Sequence, residues 1–324
     1  MKKIVNDTRL MIKVCDLYYN EKKSKKQIAH ILNISVPTVS SLLDSAVCEK
    51  VVSINIENLE TVKHWDLERR LKQKCGLKDV VIVDSFENPL EQKHRLGIAA
   101  SKYLESIVKS GDIIGISMGS TLYQAAHTPA EKSINDLSFV SLLGGMGRLR
   151  TELHSNYLSQ AFAQKYNGRY FPLYTPARVS NALVRKELRR ETEIQDVLSM
   201  YKNLSAALVG IGYPSDNASS VKATGYYKDN EILSLSNRKV VGEICMQFYD
   251  ICGDTQLYKD DNTAIGININ LLKKVPYSIG VAGTEGKLSA IAGAVRGGFI
   301  NVLITDSECA KRLISMDFKE KSYE

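Results

Sequence analysis

The chain has 324 residues, which is long enough for a small domain joined to a large one. Its 44% hydrophobic and 24% charged content is that of a folded globular protein and excludes gross disorder. No window reaches the roughly 18 uninterrupted apolar residues of a membrane-spanning helix.

The formal net charge of +7 is uneven: residues 1–26 carry a net +5. Such an excess suits an arm or domain that meets a polyanion, and equally a solvated helix face. Asn6, Asp7, Arg9 and Lys13 interrupt any apolar run near the N-terminus, so no signal peptide is expected and the protein is placed in the cytoplasm. The six cysteines (15, 48, 75, 245, 252 and 309) lie far apart without a CxxC pair. They read as reduced thiols in core positions, and neither a zinc site, a disulfide framework nor a cofactor is expected.

Residues 1–56 read as a helix-turn-helix domain. Leu10, Ile12, Val14, Leu17 and Tyr18 suit a first helix ending near Asn20. Ser24 can cap a second helix that turns Ile28, Ala29 and Leu32 inward, and Asn33-Ile34 makes a tight turn. Ser35 caps a third helix with Pro37 in its first turn and Val39, Leu42 and Leu43 on its buried face. VVSINI (51–56) alternates as a short strand would. In such a domain the start of the third helix enters the major groove of operator DNA. Ser35, Thr38 and Ser41 are then the candidate contacts to bases or phosphates, with Lys22, Lys23, Lys25 and Lys26 on the DNA backbone. A plain three-helix packing module is the competing reading.

Residues 57–78 form a linker, with Leu59, Val62, Trp65 or Leu67, and Leu71 spaced for a helix of about 16 residues that stops at Gly76. In residues 79–324 apolar runs at 79–83, 112–117, 139–145, 206–212, 277–283 and 300–306 alternate with helical segments at 89–109, 121–126, 152–166, 181–202 and 285–296. This alternation predicts an α/β fold, a doubly wound and mostly parallel sheet with helices on both faces. Ligands of such sheets bind beyond the carboxyl ends of the strands, where the chain places SMGST (117–121), GGMG (144–147), GIGYP (210–214) and AGTEGK (282–287). SMGST puts backbone amides, hydroxyls and a helix start at one point, as an anion site does. It also fits a turn that uses Gly and Ser for geometry alone.

LYYNEKKSKKQIAHILNISVPTVSSLL (17–43), LERRLKQKCGLKDVVIV (67–83), GISMGSTL (115–122), SLLGG (141–145), NYLSQAFAQKYNGRYFPLYTPA (156–177), VGEICMQFYDICG (241–253) and EGKLSAIAGAVRGGFINVLITD (285–306) together resemble the SorC family of bacterial sugar-responsive transcriptional regulators, grouped with the DeoR-like repressors. The resemblance implies an N-terminal DNA-binding domain and a C-terminal effector and oligomerisation domain similar to the sugar-phosphate isomerase and deaminase fold. It implies a homo-oligomer, typically a tetramer, that binds operator DNA and answers to a phosphorylated sugar. Carried over by position, Ser117, Gly119, Ser120 and Thr121 look like the phosphate loop and Lys287 like the lysine that completes it. Gly144 and Gly145 would let the backbone approach the sugar, with Asn156, Gln160, Gln247 and Asp250 hydrogen-bonding its hydroxyls; Asp250 reads equally as a turn residue. The family's usual basic residues are missing at Val36 and Ser41.

The alternative is an isomerase or deaminase of the same fold. It would need a carboxylate general base. The acidic DGADE-type motif is absent, and Asp250 and Glu285 are the nearby candidates. A non-catalytic regulator with no metal is the expected function.

Overall fold

The computed structural model describes residues 8–54, 62–145, 150–213, 225, 227–316 and 318. The chain divides into two compact units, Met1–Lys63 and His64–Glu324.

In the first unit, helix α1 (Thr8–Cys15) runs into a π-helical turn, Asp16–Asn20, and is followed by α2 (Lys25–Leu32) and α3 (Val36–Cys48). Their apolar stripes meet in one core of Met11, Val14, Ile28, Val39, Leu42, Leu43 and Ala46, all buried. Ser24 starts α2 through a capping box: its hydroxyl accepts from the Gln27 amide, and the Gln27 side chain accepts from the Ser24 amide. Asn33 ends α2 in the left-handed region, at φ 50° and ψ 48°, and the Ile34 amide donates back to Ala29 O. Asparagine is one of the few residues other than glycine that visits this region readily. The chain therefore turns within three residues, and the axes of α2 and α3 differ by 104°. No strand forms at Val51–Ile54, where Val52 donates to Ala46 O and Val51 and Val52 pack on the helices; Asn55 and Ile56 lie outside the described residues.

The second unit opens with α4 (Trp65–Cys75), shorter than the sequence suggested and ended by Gly76 in the left-handed region. Leu59 of its expected stripe lies outside the described residues. Leu71 is fully buried against the large core, whereas Trp65 is 61% exposed.

The strands β1 (Asp79–Val83), β2 (Ile113–Ile116), β3 (Ser138–Ser141), β4 (Arg169–Phe171), β5 (Ala206–Gly210), β8 (Tyr277–Val281) and β9 (Val302–Asp306) build a parallel sheet in the order β1-β9-β8-β5-β2-β3-β4. A separate antiparallel hairpin joins β6 (Gly242–Ile244) to β7 (Gln247–Tyr249). Alternate residues enter opposite cores: Leu208, Val302 and Ile304 face the layer holding Leu96, Leu104 and Leu122, while Val209 and Leu303 face the layer holding Leu71 and Ile291. Both sheet faces are covered, which is why the strands read as continuous apolar runs.

Two further expectations are corrected. β3 stops at Ser141 because Leu143 leaves the ladder to form an antiparallel bridge with Gly266. The expected helix at 181–202 is two helices, Ala182–Leu188 and Thr192–Met200, separated where Glu191 is extended. β4 and the hairpin, each of short strands, were not anticipated.

Replacing Ser24 by Ala removes the α2 cap and is expected to cost the first unit about 1 kcal/mol. Faster hydrogen exchange of the α2 amides, with those of β8 unchanged, is the expected result.

Candidate functional site

β1, β9, β8, β5 and β2 are neighbours, and the loops that follow them line one cavity of about 710 Å³. Its wall is made by Ser117–Leu122 after β2, Gly210–Gly212 after β5, Val281–Glu285 and Lys287 after β8, and Ser85–Glu87 after β1, with Glu243 and Cys245 from the hairpin. Gly119 takes φ 129° and ψ 163°, a conformation that side chains disfavour, and turns the chain straight into helix Ser120–His127. The first amide to donate back is Tyr123, to Gly119 O at 3.0 Å. The Ser120, Thr121 and Leu122 amides precede that bond at the positive end of the helix, beside the Ser120 and Thr121 hydroxyls. Lys287 reaches the same cavity, its Nζ 3.3 Å from Ile211 O.

Ser117 lines the same cavity as Ser120 and Thr121. It is buried, its amide donates to Leu208 O, and its hydroxyl accepts from the Cys245 thiol at 3.3 Å. Burial pushes that thiol up to about 12, so it stays protonated.

The remaining sequence candidates are not among the cavity-lining residues, for identifiable reasons. Gly144 and Gly145 follow β3, which lies beyond β2; Gly144 is packed against Thr175 and Pro176, and Gly145 against Asn156. Asn156 spends its amide group on Leu173, accepting from its N–H at 2.9 Å and donating to its carbonyl at 3.2 Å. Gln247 is buried and staples Ile267 O to the Ile269 amide. Asp250 holds its own turn, accepting from the Cys252 and Asp254 amides. Gln160 is exposed on helix Ser155–Lys165. Met146, Gly147 and Pro214 lie outside the described residues.

Two carboxylates escaped the sequence reading. Glu243 is 6% exposed, its Oε2 accepts from the Met246 amide at 2.9 Å, and its backbone pairs with Gly212 in both directions at 2.9 Å. A Cβ on residue 212 would lie 1.9 Å from Glu243 Oε1, so this approach requires glycine. The hairpin turns through Cys245 and Met246, both at positive φ. Asp306, 2% exposed, ends β9 and binds Ser85 Oγ, Cys309 N and Thr284 N. Among the described residues no group of three or more His, Cys, Asp or Glu could hold a metal ion.

The arrangement is that of an α/β domain with a cavity at the carboxyl edge of its parallel sheet. Comparison with known proteins agrees: residues 59–315 match the Sugar-bind family of sugar-binding domains. The chain is 33% identical to the deoxyribonucleoside regulator of Bacillus subtilis (strain 168), over 95% of this chain and 97% of that one. It is 32% identical to the sorbitol operon regulator of Klebsiella pneumoniae, over 95% of this chain and 98% of that one. The crystal structure of that full-length regulator, SorC, superposes with a TM-score of 0.72 and 31% identity, over 96% of this chain and all of that one. The chain belongs to the SorC family of sugar-binding transcriptional regulators.

Burial pushes the Glu243 carboxyl up from 4.5 to about 7, with the Met246 amide and the Lys287 ammonium pulling the other way. A raised folded-state pKa means the native state holds a proton that the unfolded chain has released. Glu243 therefore supports the fold fully below pH 4.5, and its support is lost as the pH rises toward about 7. Glu243→Gln is expected to flatten this part of the profile. Urea unfolding at pH 5 and pH 8 checks it: the wild type should lose more stability than the variant between the two.

Proposed function

We propose that this protein is a DNA-binding transcriptional regulator of a carbohydrate-utilisation operon whose operator binding is controlled by a phosphorylated sugar. The observation that carries the reading is the convergence of the first turn of helix Ser120–His127 with Lys287 on one cavity that also holds a buried carboxylate. A phosphate takes amide and hydroxyl donors from Ser120 and Thr121 and a compact cation from Lys287. Glu243 then accepts from a sugar hydroxyl, or donates to one when protonated. Gly119 supplies the turn, while Ser117 supports it from beneath.

In the first unit Ser41, Lys22 and Lys26 are exposed, and the Ser35 and Thr38 hydroxyls lie 2.7 Å apart at the start of α3. This end of α3 is the part that reads bases in a helix-turn-helix, with Lys22, Lys23, Lys25 and Lys26 toward the DNA backbone. Lys25 is half-buried and donates to Ser40 Oγ at 3.2 Å, so it orders α3 as well. One reading helix per chain meets one half-site, which calls for a symmetric oligomer; a tetramer in the cytoplasm is the form we propose.

One observation favours a second reading, catalysis on the sugar: Glu243 has the burial and the near-neutral pKa of a general base. Its Oε2 is already held by the Met246 amide, which suits binding better.

A thermal-shift screen of sugar phosphates and their unphosphorylated forms should stabilise the chain with a phosphorylated compound alone. Calorimetry on Lys287→Ala should then show a loss of about 1.5–3 kcal/mol. Unchanged affinity places the phosphate elsewhere, and turnover of the sugar followed by NMR establishes the enzyme.

Operator binding should weaken with salt, and Lys22→Gln with Lys26→Gln should flatten the slope of log K against log salt by about 0.9 per lost phosphate contact. Fluorescence anisotropy at several salt concentrations reads the slope, and an unaltered value makes these lysines solvent-facing only.

A further inference from the structure

The loop that carries Lys287 has an unusual backbone. Thr284 sits at φ 81° and ψ 152°, a region that essentially only glycine occupies. It persists only if the surroundings hold it, and they do so from both sides of the residue. The Thr284 amide donates to Asp306 Oδ2 at 2.6 Å, and its carbonyl accepts from the Cys309 thiol at 3.7 Å and from the Lys287 amide at 3.1 Å. The other Asp306 oxygen is committed elsewhere, accepting from Ser85 Oγ at 2.7 Å and from the Cys309 amide at 3.0 Å. A third tie is the ion pair of Glu285 with Arg312, one helical turn beyond Cys309.

Burial makes the clamp stiff. Asp306 is 2% exposed, and a Cβ on residue 283 would lie 2.5 Å from its Oδ2, so Gly283 lets the carboxylate press against the loop. Thr284 is exposed on the cavity side, so no packing of its own side chain accounts for the conformation.

We propose that Asp306 is a positioning residue of the effector site: by holding Thr284 in this conformation it fixes the turn that presents Lys287 to the cavity. The inference rests on the anion site proposed above. Asp306 itself need touch no ligand, since both of its oxygens are already occupied by protein donors.

The chemistry of the carboxylate supplies the test. Asparagine has the same shape but one acceptor oxygen, so Asp306→Asn must release the amide of either Thr284 or Cys309, while the Ser85 hydroxyl can turn to accept. Glycine occupies the Thr284 conformation without strain, so Thr284→Gly keeps the turn available when the clamp is gone. Binding of inorganic phosphate to the full chain is followed by phosphorus NMR for the wild type, Asp306→Asn, Thr284→Gly and the double variant. Asp306→Asn is expected to weaken phosphate about tenfold, the scale of one lost hydrogen bond to a charged group. The double variant is expected to recover most of that loss, with Thr284→Gly alone as its reference.

Equal binding by Asp306→Asn and the wild type overturns the role, as does a double variant no better than Asp306→Asn. Thermal unfolding of Thr284→Gly gives a readout that does not require Asp306→Asn to fold. A raised midpoint is expected as the strain is relieved, and a lowered one overturns the clamp. A wild-type chain that binds no phosphate overturns the anion site itself, and this role with it.

Discussion

The parallel direction of neighbouring strands is the constraint on which the cavity depends. A parallel ladder places every carboxyl end on the same edge, and helices on both faces leave that edge as the place where backbone is free of sheet pairing. β1, β9, β8, β5 and β2 each deliver one loop there, and those loops line the cavity. β3 and β4 end on the same edge, but farther along it, where Gly144 packs on Thr175 and Pro176 and Gly145 on Asn156. Sharing an edge is not enough to share a site; the position of a strand along it matters as well.

Electrostatics then distinguishes the ends of the cavity. Among the described residues its lining holds the carboxylates of Glu87, Glu243, Glu285, Asp306 and Glu308 and the ammonium groups of Lys93 and Lys287. Among these groups the carboxylates outnumber the cations. Selection of an anion would have to be local, from amides fixed at a helix start and one nearby cation, where the dipoles are already oriented and need no rearrangement. The same local logic governs the carboxylates. Asp306 is satisfied by several donors, whereas Glu243 has the Met246 amide and the more distant charge of Lys287, and burial prevails there.

Much of this was legible in the sequence because it is encoded locally. The capping residues Ser24 and Ser35, the Asn33 turn, the Gly76 stop and the glycine-serine turn after β2 are each specified within four residues or so, and the structure has them where the spacing puts them. Lys287 came from the resemblance, and it lines the same cavity as the Ser120 turn. What escaped is non-local. β4 and the hairpin strands are too short to carry a period. Gln247 and Asp250 look like ligand residues until their backbone partners are known. Glu243 and Asp306 were invisible because their meaning depends on Gly212, Thr284 and Ser85, which lie distant in the chain.

The proposed regulation sets its own energetic bound. A ligand shifts the affinity of another site only by its differential affinity for the states involved, typically worth about 1–3 kcal/mol. A cavity of about 710 Å³ has more contact to offer than that, so most of the effector's binding energy would be common to both states. The differential part must reside where the protein has two arrangements available to it. A rigid sheet edge is a poor place for this, since packed strands have little freedom. A residue held in a glycine-only conformation is a better one, because the held and released backbones are discrete and their balance depends on a few hydrogen bonds. Thr284 meets that description and lies in the loop that carries Lys287. In the proposed regulation, the contacts that hold Thr284 are then also the element on which an effector could spend a differential contact, and operator DNA would change effector affinity through it by the same factor.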